Sequence, residues 1–224
     1  MAALSPGLKP GACGGGVLVM GLYTRPASAL IEGEIQTLPH TSGLEECTFP
    51  EPVGRCETAI SDAHSTAYTL KGKVRNLYEK TVRYKGHYGT MQKLKELGFL
   101  GDEPVEVQGQ RVRPLDVTME VLKPHVQGNS PEDVTVLRVV VRGQKGGNPA
   151  QALWEMVDFY DPEEGLTSMA RTTAFPAALA ARWVARGLIE KRGFLAPEEI
   201  FSPEKADAFL HELGERGVKI QRLR

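Results

Sequence analysis

Apolar residues return at every fourth position through Phe175, Leu179 and Trp183, the spacing of one buried helix face, and Gly187 supplies a stop. This pattern predicts a helix over residues 173 to 187. Thr172 and Thr173 stand where hydroxyls cap orphan N–H groups, and Pro176 suits a first helical turn. Upstream the period falls to two. Ala27 to Ile31 and Glu34 to Leu38 flank Glu32-Gly33 as a hairpin, and Arg55 to Ile60 and Tyr78 to Tyr84 carry the β-branched and aromatic residues of strands. Met91, Leu94 and Leu97 share a helical face closed by Gly98. Val105 to Val107 and Val112 flank Gly109 as a small hairpin, and Pro114 to Leu122 reads as a helix that ends before Pro124.

The sheet signal is strongest further on. Val134 to Arg142 and Leu153 to Tyr160 are separated by the turn-forming stretch Gly143 to Pro149, and Leu166 to Ala170 follows as a third strand of an antiparallel meander. A helix near Pro203 to Arg216 and a short strand over Val218 to Gln221 complete the pattern. The expected fold class is α+β: a mainly antiparallel β-sheet with helices packed on one face.

Composition narrows the function classes. Of 224 residues, 41% are hydrophobic and 25% charged, the balance of a globular chain rather than a disordered one. A formal net charge of −1, with acidic and basic residues interspersed, gives no electrostatic footprint for nucleic acid or an anionic membrane. No apolar run reaches the length of a membrane span, and Gly14 to Leu22 lacks the charged lead-in of a secretory signal, so a cytoplasmic location is expected.

Cys13, Cys47 and Cys56 have no CxxC spacing and are read as reduced thiols. His40, Cys47, Cys56 and His64 are too loosely spaced to argue for zinc, and no metal is expected. Gly11, Gly14, Gly15 and Gly16 precede the apolar run Val17-Leu18-Val19-Met20. A dinucleotide fingerprint needs the opposite order, strand first and glycines after, so no nucleotide-binding half is expected in this chain.

One segment has a readable chemistry of its own. Arg171, Thr172 and Thr173 at a helix start, with N–H groups exposed, form a natural seat for a carboxylate or phosphate. The alternative is that the threonines cap the helix and Arg171 is solvated.

Seven separated stretches also resemble a known family, in order. They are Lys80-Thr81-Val82-Arg83-Tyr84-Lys85-Gly86-His87, Leu94 to Leu97, Arg113-Pro114-Leu115-Asp116-Val117, Val121-Leu122-Lys123-Pro124, Val134 to Gly143, Met169 to Phe175 and Gly193 to Ile200. Together they resemble the C-terminal half of the saccharopine dehydrogenase family, most closely its lysine 6-dehydrogenase-like bacterial members, over residues 23 to 222. The resemblance implies a Gly-rich leader over 1–22 and a substrate and dimerisation domain over 23–224. It implies an oxidoreductase that moves a hydride between NAD or NADP and an amine or imine carbon of lysine or a related amino acid. The nucleotide-binding domain usual in the family has no counterpart here, so neither NAD nor NADP is expected to bind this chain alone.

The partners implied are a small amino acid, a second copy of the chain and a separate nucleotide-binding chain. A non-catalytic amino-acid-binding or dimerisation module, and a structural protein using the face of its sheet, are the other readings. On the resemblance, Asp62, His64, Ser65, Thr66, Arg83, Arg171, Thr172 and Thr173 are the candidate substrate ligands and His87 the candidate catalytic proton carrier. Asp62 would fix a substrate ammonium or cap a turn, and His87 would carry a proton or cap the following helix.

Overall fold

A computed structural model describes residues 23–39, 41–126 and 130–223. The Gly-rich leader, Cys13 and His40 lie outside the described residues. The chain divides into two compact units, Met1–Asn129 and Ser130–Arg224. All pairs of named strands are antiparallel and six helices accompany them among the described residues, so the fold is α+β as expected.

In the first unit, β1 (Ala27–Ile31) and β2 (Glu34–Leu38) form the expected hairpin around Glu32-Gly33. A three-stranded sheet follows in the order β3-β4-β5, built from Glu45–Phe49, Gly54–Ser61 and Glu79–Tyr84. The central strand β4 is the most buried, and its residues alternate between two faces. One face carries Glu57, Ala59 and Ser61, with Arg83, Thr81 and Glu79 opposite on β5; the other carries Cys56, Thr58 and Ile60.

Helix α1 (His64–Thr69) follows the β4 strand end, a turn of helix that the polar cluster there does not announce. Helix α2 (His87–Glu96) puts Tyr88 and Met91 against Ala59, and these pack with Tyr23, Leu100 and Leu115 into one apolar cluster. The hairpin β6 (Val105–Val107) and β7 (Gln110–Val112) is as expected. Helix α3 (Pro114–Val126) continues through Pro124, past the expected stop. Proline's fixed φ is itself helical, and so near the C-terminal end its missing N–H removes a single backbone bond.

In the second unit, β8 (Val134–Lys145) and β9 (Asn148–Phe159) run longer than the sequence suggests, twelve residues each. They pair rung by rung down to Lys145 opposite Asn148, with only Gly146-Gly147 between them. Both glycines have positive φ, 59° and 82°, the conformation of a two-residue turn that matches strand twist. The expected third strand at Leu166 to Ala170 is a correction. Only Leu166 bridges to Asp161, and the chain enters helix α4 (Ser168–Ala185) directly. The third strand is instead β10 (Gln221–Leu223), on the other edge of β9.

The short α5 (Pro197–Ile200) and the longer α6 (Pro203–Glu215) complete this unit. Its core joins Met156, Leu179, Trp183, Ile189, Phe209, Leu213 and Val218. Trp183 meets Phe209 edge-on at 5.3 Å and donates its indole N–H to Glu212 at 3.0 Å, so the buried ring leaves no polar atom unmatched.

Candidate functional site

The structure places the sequence-derived candidates in three groups. In the first unit, Gly86 adopts a left-handed conformation, φ 93°, and turns the chain from β5 into α2, with His87 as the first helical residue. His87 does not cap the helix. The residue is 9% exposed, and its Nε2 lies 2.6 Å from the hydroxyl of Tyr23. Arg83, from the adjacent strand, donates through Nε to the same hydroxyl at 3.2 Å. The guanidinium donates to the phenol oxygen, and the same hydroxyl shares a hydrogen bond with His87 whose direction follows the His87 tautomer. Tyr88 lies edge-on to His87 at 5.8 Å, and its hydroxyl donates to the Thr81 carbonyl. Burial raises the Tyr88 phenol well above its usual range, so it remains protonated.

Tyr23 lines a cleft of about 310 Å³ together with Thr41, Met91, Gln92, Lys95 and Glu96. The cleft thus holds a phenol, an amide, a cation and an anion beside the Met91 side chain. His87 and Arg83 stand behind Tyr23 and reach the cleft through it. Neither Tyr23 nor Glu57 is evident from the sequence. Tyr23 sits before the first strand and finds its partners 60 and 64 positions later. Glu57 is one residue among alternating strand positions, yet its buried carboxylate accepts the Tyr88 N–H at 2.6 Å.

The second group lies beyond the other end of β4. Asp62 Oδ1 accepts the Ser28 N–H at 3.0 Å and also the Ser28 hydroxyl, while Oδ2 lies 3.0 Å from His64 Nδ1. Burial opposes the charged form of Asp62, but these Ser28 contacts and the neighbouring His64 together hold its carboxyl below the usual range. His64 has φ 48°, a left-handed conformation that a non-glycine residue holds only at a cost. Thr66 gives its hydroxyl to the Ala63 carbonyl, and Ser65 is exposed on α1. Glu79, where β5 begins, has its carboxyl pushed up by desolvation.

The third group, Arg171 with Thr172 and Thr173, belongs to the second unit, and here the expected helix start is corrected. Helix α4 begins at Ser168, with Thr167 as its cap, accepting the Ala170 N–H at 3.1 Å. Asp133 supplies a carboxylate to the same helix start, accepting the N–H of Ser168 at 2.6 Å and of Met169 at 2.8 Å. Thr172 and Thr173 therefore lie inside the helix, and their hydroxyls turn back to the Ser168 carbonyl and Met169 sulfur. Arg171 is not solvated. Its guanidinium, 11% exposed, meets Asp158 at 2.6 Å and Asp161 at 2.8 Å. The carboxylate seat that the sequence suggests exists, and in this structure the protein's own aspartates occupy it.

No group of three His, Cys, Asp or Glu side chains suited to a metal ion occurs among the described residues. No helix among them is long and apolar enough to cross a membrane. The sheets named among the described residues are all antiparallel.

A family model described as the saccharopine dehydrogenase C-terminal domain matches residues 17–218. Among solved structures, the chain is similar to apo histidine-tagged saccharopine dehydrogenase (L-Glu forming) from Saccharomyces cerevisiae. The two share 18% sequence identity and a TM-score of 0.73, over 96% of this chain and 62% of the yeast chain. At that identity the likeness is one of fold, and this chain spans less than two thirds of the yeast protein's length.

Proposed function

This chain belongs to the saccharopine dehydrogenase C-terminal domain family, and on that premise we propose that it forms the substrate-binding part of an NAD(P)-dependent oxidoreductase acting on lysine or a related amino acid. The observation that carries this reading is the cleft in the first unit. Lys95 and Glu96 give it the opposite charges that an amino-acid zwitterion matches. Tyr23 offers a hydroxyl already linked to His87, so His87 exchanges a proton with a bound amine through Tyr23 rather than by direct contact. Arg83 fixes the phenol between them. In this proposal the cofactor is carried by another segment or another chain.

The dimerisation role in this proposal falls to the long β8–β9 hairpin. Its outer half exposes Val139, Val140 and Val141, on both faces of one strand. Apolar residues in such a ladder favour a second copy of the same surface.

Calorimetric titration of the purified chain with lysine and saccharopine, then with NAD and NADP, tests the proposal. Amino-acid binding that weakens in Tyr23→Phe is the expected result. No binding of either amino acid by a folded chain would overturn it, and cofactor binding by this chain would overturn the assignment of the nucleotide site elsewhere. The alternative is an amino-acid-binding module without catalysis. Turnover on adding a nucleotide-binding partner chain would exclude it.

A further inference from the structure

Two cysteines face each other across the first unit's three-stranded sheet. Cys47 on β3 is the register partner of Cys56 on β4, so their side chains share one face. Directly opposite residues of an antiparallel pair stand about 4.5 to 5.5 Å apart at Cα, inside the roughly 4.4 to 6.8 Å span of a disulfide. Both stand as thiols. We propose that Cys47 and Cys56 are a redox-switchable dithiol, closed into a cross-strand disulfide by a small disulfide of the glutathione class.

The two thiols have unequal access. Cys56 is 2% exposed on the central strand, whereas Cys47 is half-buried on β3, the edge strand of the sheet. Cys47 is therefore the entry thiol and Cys56 the resolving one. On the other side of Cys56, Tyr84 is its register partner, and burial followed by the nearby Cys56 raises the Tyr84 phenol. The row Cys47, Cys56, Tyr84 thus crosses all three strands.

The exchange balances without a metal. The Cys47 thiolate attacks one sulfur of the small disulfide and releases one small thiolate, leaving a mixed disulfide. The Cys56 thiolate then attacks Cys47 Sγ, forming the Cys47–Cys56 bond and releasing the second small thiolate. Two protein thiols are oxidised, one small disulfide is reduced to two thiols, and those thiols take up the two protons. A bond closed inside a regular ladder must accept the ladder's geometry rather than its own preferred one, which makes it reducible. Closure pins the edge strand to the sheet centre, and an excess of small thiols reopens it.

The test uses the full chain carrying Cys13→Ser, incubated with oxidised glutathione and measured by intact mass, alkylation and amide exchange. The expected product has lost about two mass units, resists alkylation at both positions and exchanges more slowly over β3, with reversal by a dithiol reductant. Cys56→Ser should stop at glutathione held on Cys47. Two thiols that stay reactive, glutathione retained on Cys47 in the intact dithiol chain, or a link between two chains would each overturn the proposal. If Cys13→Ser does not fold, the wild-type chain, cleaved between Cys13 and Cys47 and mapped for linked peptides, separates the same outcomes.

Discussion

The carboxylate of Glu57 accepts the backbone N–H of Tyr88 at 2.6 Å, so a strand residue caps a helix 31 positions later. Helix α2 needs this contact because its own cap, Gly86, has no side chain. Glu57→Ala should lower stability by about 2 to 3 kcal/mol, the worth of a buried hydrogen bond to a charged group, and Glu57→Gln by less. Urea denaturation of the two variants checks this, and equal losses would show that the charge at the helix start contributes nothing.

Arg171 binds two aspartates with almost no water around it. Removing it leaves the buried Asp158 carboxylate without its cation, and Arg171→Met should cost about 3 to 5 kcal/mol. Arg171→Lys should recover little, because one ammonium cannot serve two carboxylates as the planar fork does. Chemical denaturation curves of both variants read the difference.

Asp62 carries a pH dependence with a definite sign. Its folded carboxyl titrates below the unfolded one, which lies at about 3.9, so its contribution is complete above about pH 5 and vanishes as pH falls through the folded value. The side chain is 42% exposed, and solvent screening keeps the effect small. Asp62→Asn should cost about 0.5 to 1 kcal/mol at neutral pH and progressively less as the pH falls through the folded carboxyl's titration. Stability measured across that range should show the two curves converging in acid.

Tyr23→Phe keeps the ring in the core and deletes the hydroxyl shared by His87 and Arg83. Amino-acid binding in the cleft should weaken by about tenfold, one hydrogen bond's worth, and any pH dependence of binding traceable to His87 should flatten. Calorimetry at several pH values measures both.

Much of the fold is legible in the sequence because its signals are local. Glu32-Gly33 marks the first hairpin, and the period-two runs of β4 and β5 and the Ser202-Pro203 entry to α6 stand where the residues suggest. The start of α4 is not legible because part of its capping comes from Asp133, 35 positions before the N–H it receives. Thr172, Thr173 and Pro176 look like a first turn and lie within the helix. Arg171 reads as a ligand for carboxylates, which is chemically sound, yet nothing in the neighbouring residues shows that Asp158 and Asp161 fold onto it. Tyr23 is hidden for the same reason, since its role depends on Arg83 and His87 arriving from distant strand and helix ends.

The two-glycine turn between β8 and β9 also sets an order of events in the second unit. Each rung of that hairpin joins residues close in sequence, so its contact order is low and its loop-closure entropy small. Strand β10 docks on β9 only after the intervening helices have returned the chain to it. Low contact order predicts that this hairpin forms early in the unit and that β10 joins it late. Substitutions at Gly146 or Gly147 should slow folding, whereas substitutions in β10 should mainly speed unfolding.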